Sequence, residues 1–320
     1  MSENNFDVVC VGSALLDLYL KSPKFKQIPS GEFAGGVALC EEFGGKMEVE
    51  EAEVTTGGGG SNNAVSFARK GLKTALIAEL GTDLVAAAIK QELITEGVDG
   101  SLLVQEPTEE TGFSAVLVNQ AGGRSVVVYR GAAKMLTKTD IPWDDLHPSW
   151  LHISALGGDV ELLEGLLGHA KHHGIKVAVN PGKPELEKID AWGGMELFRD
   201  VDVLLVNREE ASLMLKRDLA SEEAWNTLNI VGSKLTIVTD GRDGGKYWID
   251  GAGMPYPAAT GEVVEETGAG DAFGSGVVAA LILGHDITTA LTWGRIQAEN
   301  VVRFMGAKRG LFTLPQIEAI

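Results

Sequence analysis

The sequence is short of cysteine: Cys10 and Cys40 are the only thiols in 320 residues. Two cysteines build neither a disulfide framework nor a four-ligand zinc site. Cys10 lies in an apolar run and reads as a buried small hydrophobe, which fits a reducing compartment. No run of 18 or more apolar residues occurs, which excludes a bilayer-spanning helix. The opening MSENNFDVVCVG lacks the basic-then-apolar pattern of a signal peptide, so the expected location is cytoplasmic. Basic residues are scarce as well: 27 Lys and Arg face 45 Asp and Glu, a formal charge of −18. A surface this acidic repels polyphosphate and anionic lipid, so neither nucleic acid nor a membrane is expected as a partner. The six tryptophans are dispersed, with no stacking ladder for single strands. Neither GxxxxGK[ST] nor a strand–GxGxxG–helix pattern occurs, which argues against a P-loop kinase and a dinucleotide dehydrogenase.

What is present is a globular composition, 44% hydrophobic and 22% charged. At roughly 150 residues per domain the length allows one large domain or two modest ones. Short apolar runs (Phe6–Val11, Thr74–Leu80, Trp150–Ser154, Ile175–Asn180, Val201–Val206, Leu235–Thr239) read as strands. They alternate with helical stretches at Ser61–Lys70, Asp83–Glu96, Val160–His173, Arg208–Lys216, Asp271–Leu283 and Ile287–Met305. This alternation predicts an α/β fold, a mostly parallel sheet with helices on both faces. Ligands of such sheets sit at the carboxyl ends of the strands.

Two segments break the alternation. Tyr19–Thr56 has scattered Gly and Pro with a short alternating stretch at Lys46–Val54, and Gly112–Arg130 reads as strand, an Ala121-Gly122-Gly123 turn, and strand. We expect them to form a small β-sheet over the ligand cleft. The expected organisation is a core of residues 1–18, 57–110 and 132–320 with a lid of residues 19–56 and 111–131. A homodimer through the lid is a further expectation.

Glycine is abundant, 41 residues, and clustered in loops. Gly268-Ala269-Gly270 opens an apolar helix whose first turn carries Asp271. Free N–H groups at a helix start make an anion site. A carboxylate beside it can take the proton of an alcohol while the N–H groups hold charge on a transferred phosphoryl. The run Gly57-Gly58-Gly59-Gly60 leads into a second helix, where Asn62 can donate and accept toward sugar hydroxyls. His169, His172 and His173 read as a solvated helix end, and the acidic run Glu48–Glu53 as the wet face of a lid strand.

GGGGSNNAVSFARKG resembles the first signature of the ribokinase or PfkB-type carbohydrate kinase family, and ETGAGDAF its second; the family order holds over essentially the whole chain. The resemblance implies a ribokinase-like three-layer α/β/α fold with a small β lid. It implies an ATP-dependent kinase for a primary hydroxyl of a sugar, sugar derivative or nucleoside, with Asp271 as base and Gly268, Ala269 and Gly270 as anion hole. The alternatives are a nucleoside kinase specifically, or a non-catalytic sugar-binding or regulatory member of the fold. Asp17, Gly58, Gly59 and Asn62 would hold the acceptor. Asn207-Arg208-Glu209-Glu210 resembles the family's NxxE motif, so Asn207 and Glu210 would organise Mg²⁺ and the ATP phosphates largely through water. Thr239, Gly241, Gly244 and Asn300 fall on the nucleotide side. Tyr129-Arg130 closes the lid hairpin, and Arg130 would read an anionic acceptor. The chain departs from the pattern at Glu265-Glu266-Thr267, where the family has Asp-Thr-Thr. That extra carboxylate bears on the monovalent cation, K⁺, which the resemblance otherwise allows. Gly59 stands where typical ribokinases carry Lys, and the strand end Ile153–Gly157 lacks a carboxylate that some sugar kinases place there.

Overall fold

Strand and helix assignments follow from where the β-branched runs can be buried. The structure, a computed structural model, describes residues 6–33, 36–120, 123–191, 194–226, 233–249, 251–258, 260–261 and 263–320. An eight-stranded sheet is built from β1 (Val8–Val11), β6 (Thr74–Ile77), β11 (Trp150–Ile153), β12 (Lys176–Val179), β13 (Val203–Asn207), β14 (Leu235–Thr239), β15 (Gly245–Ile249) and β16 (Ala252–Tyr256). Its order is β16-β15-β14-β13-β12-β11-β1-β6; the pairings from β6 to β14 are parallel and β15 and β16 add an antiparallel edge. Alternate residues of β1 feed two cores: Val9 and Val11 face one, Val8 and Cys10 the other.

The first core is covered by α3 (Val160–His173), α4 (Lys183–Ala191), α5 (Arg208–Leu215) and α6 (Glu222–Asn226). The second lies under α1 (Gly59–Arg69), α2 (Leu84–Thr95), α7 (Ala269–Ile282), α8 (Ile287–Val301) and α9 (Leu314–Glu318). This is the expected three-layer α/β/α arrangement. Helices α7 and α8 cross closely because both are glycine at the contact. A Cβ on Gly276 would lie 2.9 Å from Gly294 Cα, and one on Gly294 2.7 Å from Val277 Cγ2. That crossing seats the N-terminus of α7 at the carboxyl ends of the strands.

A second, four-stranded sheet has the order β10-β9-β2-β5, with β2 (Leu15–Lys21), β5 (Glu51–Gly57), β9 (Phe113–Val118) and β10 (Arg124–Tyr129). Two short pairs complete the strands: β3 (Lys26–Pro29) with β4 (Val37–Cys40), and β7 (Glu79–Leu80) with β8 (Val104–Gln105). Strand β2 begins at Leu15, so it crosses the boundary expected at residues 18 and 19. The expected hairpin strands appear; residues 121 and 122 of its turn lie outside the described residues. The stretch expected as one strand over Thr74–Leu80 splits into β6 and β7. The helix expected to reach Met305 stops at Val301, and the Val302 carbonyl accepts instead from the N–H groups of Val264 and Glu265 (2.7 and 3.1 Å). The hairpin β15–β16 was not anticipated, since its glycines read as loop.

Candidate active site

Helix α7 starts without a side-chain cap. Gly268 precedes it with φ +79°, and a Cβ there would overlap Ala307, so only glycine fits. Ala269 N–H donates to Glu266 O at 3.2 Å. Of the expected trio of amides, that of Ala269 thus already has an acceptor within the chain. Among the described residues, the N–H groups left without a protein acceptor at this turn are those of Gly268, Gly270 and Asp271.

Asp271 is held by the other glycine helix. Gly58 (φ +93°) turns the chain so that α1 begins at Gly59, and the Asn62 amide Nδ2 donates to Asp271 Oδ2 at 2.8 Å. Asn62 thus positions the carboxylate. Its Oδ1 is buried and has no partner among the described residues. Neighbouring Asn63 donates to Gly59 O (2.7 Å) and Ser154 Oγ (3.0 Å) and braces the bend. A Cβ on Gly59 would lie 3.0 Å from Ser154 Cβ and 3.4 Å from Asp271 Oδ1. Gly59 therefore admits both the strand end and the carboxylate, at the position where a lysine was noted as missing.

Asp17 lies on β2, paired with Ser114 of β9, whose hydroxyl donates to it. A Cβ on Gly57 would overlap Asp17 Oδ2, so the Asp17 and Asp271 carboxylates line the same glycine run two residues apart. Burial raises the pKa of both. Ser114 pulls Asp17 back down, Asn62 and Asn63 pull Asp271 back, and the Lys308 ammonium draws on each.

Lys308 was not anticipated. Its Nζ is buried and donates to Thr56 Oγ1 (2.5 Å), Ser61 Oγ (2.6 Å) and Glu92 Oε2 (2.7 Å). Glu265, the departure from the family pattern, is buried too. It pairs with Arg124 of β10, accepts from Thr267 N–H at 2.7 Å, and meets the Tyr19 hydroxyl at 3.4 Å. The loop leading into α7 is thereby tied to the four-stranded sheet.

On the opposite side of Gly270 lies a cleft of about 300 Å³. Thr239, Gly241 and Gly244 line it together with Ala269 and Gly270, and the stacked rings of Tyr256 and Phe273 (centroids 5.4 Å apart) form a wall. Gly241 has φ +55° and Gly244 φ +82°; a Cβ on Gly244 would lie 2.5 Å from Tyr256 O. Asn207 pairs across the strand ends with Thr239. It caps α5 in a reciprocal box: Asn207 Oδ1 accepts from Glu210 N–H and Glu210 Oε2 from Asn207 N–H, both at 2.8 Å. Burial raises the Glu210 pKa. Neither residue lines the cleft. Asn300 does not either; its amide donates to Gly310 O at 2.8 Å and fixes the loop that delivers Lys308. Arg130 is exposed just past β10, and among the described residues its guanidinium meets no hydrogen-bond or ion-pair partner.

Comparison with solved structures shows that this architecture is the ribokinase-like fold. A probable sugar kinase from Rhizobium etli superposes with TM-score 0.78 at 22% identity, covering 98% of both chains. A nucleoside kinase from Methanocaldococcus jannaschii superposes with TM-score 0.75 at 21% identity, again covering 98% of both. The sequence goes further: the model of the pfkB family carbohydrate kinases matches residues 5–311, and the chain belongs to that family. A ribokinase from Staphylococcus aureus is 25% identical over 98% of this chain and 99% of its own. The protein is thus a phosphotransferase with an alcohol group as acceptor, and ATP binding is expected for its family. No helix among the described residues is long and apolar enough to cross a membrane.

Proposed function

We propose that the protein transfers the γ-phosphoryl of ATP to a primary hydroxyl of a sugar, sugar derivative or nucleoside in the cytoplasm. The observation that carries this reading is the Asp271 carboxylate in the first turn of α7. It is held by Asn62 and flanked by free backbone N–H groups, between the Asp17 side and the Thr239–Gly244 cleft. The acceptor lies against the glycine run with a hydroxyl on Asp17, a carboxylate that accepts but does not donate when ionised. Its primary hydroxyl gives its proton to Asp271 as oxygen attacks phosphorus. The N–H groups of Gly268, Gly270 and Asp271 take the developing charge. The adenine side of ATP occupies the cleft beside Tyr256 and Phe273. Burial raises the pKa of Asp271, which favours its holding a proton transiently.

A Mg²⁺ ion fits the oxygen chemistry of Glu210, whose Oε1 is left over from the capping box, with Asn207 beside it through water. When bound it neutralises phosphate charge. A K⁺ ion at Glu265 does not fit: both carboxylate oxygens are engaged by Arg124, Thr267 N–H and Tyr19. The four-stranded sheet acts as a lid over the acceptor in this reading. Its edge strand β10 exposes Val126, Val127 and Val128, which supports a homodimer through that sheet. Arg130, unpartnered beside it, recognises an anionic acceptor.

An ADP-release assay over a panel of pentoses, hexoses, sugar acids and nucleosides tests the reading, with Arg130→Ala alongside. Turnover on at least one sugar or nucleoside is expected, with kcat/KM for an anionic acceptor falling in the variant. No turnover on any member, with ATP still bound, would favour the binding-protein alternative.

A further inference from the structure

At the opposite end of the fold, a second cluster of side chains is not used by the kinase chemistry. Helix α3 follows β11 and runs back along it, so its C-terminus lies at the amino ends of the strands, away from Asp271. Its last turns carry His169 and His173, four residues apart and therefore on one helix face. The segment after the 3₁₀ turn Trp143–Asp145 lays His147 on top of them. Ring centroids are 4.4 Å apart for His169 and His173, 4.9 Å for His147 and His173, and 5.9 Å for His147 and His169. One nitrogen from each ring lies within 4.8 Å of the others, the only such group of His, Cys, Asp or Glu among the described residues.

We propose that His147, His169 and His173 bind one divalent transition-metal ion of the class that takes imidazole ligands, with Zn²⁺ as its representative. The tautomers point this way. His169 Nε2 lies 2.7 Å from Leu146 O and His147 Nε2 3.1 Å from Asp144 O. A carbonyl only accepts, so both Nε2 atoms carry the proton and both Nδ1 lone pairs are left for a ligand. A backbone carbonyl on the far nitrogen is how metal-bound imidazoles are oriented. Among the described residues, no Asp or Glu offers a ligand atom to this group. Three imidazoles gathered this closely are a donor set that suits Zn²⁺, Ni²⁺ or Cu²⁺ and not Mg²⁺.

With Zn–N bonds of about 2.0–2.1 Å, tetrahedral ligands sit about 3.3 Å apart. Reaching that from 4.8 Å takes rotation of the two exposed rings, His147 and His173, about half-buried His169. The indole of Trp143, 5.3 Å from His169 and bonded to Lys138 O at 3.0 Å, walls one side. Water takes the fourth position. The ion ties the segment around His147 to α3. The sequence shows only the HxxHH half of the set; the third ligand comes from 22 residues upstream of His169.

The test is calorimetric titration of Zn²⁺ into the untagged, chelator-treated full chain in excess Mg²⁺. One equivalent is expected to bind with a rise in Tm, and Ni²⁺ to compete. His147→Ala and His173→Ala, both at exposed positions, should each weaken Zn²⁺ binding more than about tenfold while leaving kinase turnover unchanged. Absence of saturable Zn²⁺ binding, or binding indifferent to both substitutions, overturns the proposal and leaves the kinase reading untouched.

Discussion

Lys308→Met replaces the one buried ammonium that serves both site carboxylates with a side chain of similar length and no charge. Two consequences can be worked out. Its ion pair with Glu92 is 8% exposed on the lysine side and 28% on the glutamate side, so water reaches one partner. Breaking a fully buried pair by removing one partner costs about 3–5 kcal/mol; with Glu92 partly in water the cost falls to about 2–4 kcal/mol. At about 2 °C per kcal/mol for a large domain, Tm drops about 4–8 °C. The second consequence is electrostatic. Lys308 lowers the pKa of Asp17 and Asp271 against the burial that raises them. Removing the charge lets burial prevail, so the acidic limb of the kcat/KM profile moves to higher pH. Thermal melts followed by circular dichroism read the first effect and ADP release between pH 5 and 9, on the acceptor the panel identifies, reads the second. A variant with lowered Tm but an unmoved acidic limb would refute the electrostatic coupling, because a purely structural lysine changes stability alone.

Two further outcomes follow from the geometry. Gly268→Ala forces a Cβ into Ala307 at φ +79°, so it should cost about 2–4 kcal/mol and, by displacing the anion-binding turn, at least about 10²-fold in kcat; urea unfolding and steady-state kinetics check both. Lys70 is fully buried among Ser66, Gln297 and the α1 backbone, and burial, with Arg69 adding to it, lowers its pKa to about 7. Between pH 7 and 10.5 the unfolded chain holds a proton that the native state lacks, so this group makes stability rise with pH across that window. Lys70→Met should raise stability at pH 7 by about 1–2 kcal/mol and flatten that rise, as read from unfolding at pH 7 and pH 9.

Contiguous features were legible in the sequence and distant ones were not. The two glycine–helix starts could be read because each packs its turn, its amides and its polar side chain into a few residues. Asp17 was noticed, but strand β2 was not, because its buried positions are Asp17 and Tyr19 while its leucines are half-exposed. That inverts the hydrophobic pattern by which strands are recognised. Lys308 could not be found: Glu92 lies 216 residues away, and nothing in GAKRG marks a buried lysine. The same distance hid Arg124 on Glu265, 141 residues apart, and so hid the tie between the four-stranded sheet and the loop leading into α7. The contact of the Asn300 amide with Gly310 O was likewise unmarked in the sequence.

The central claim is that the Asp271 carboxylate takes the proton of the acceptor hydroxyl. Asp271→Asn keeps the shape and can still meet the Asn62 amide, but it has no basic oxygen. The decisive measurement is kcat of this variant beside its ATP affinity by calorimetry. The account predicts ATP binding within a few-fold of wild type and kcat lowered by about 10²–10⁴-fold; turnover near the wild-type rate would contradict it.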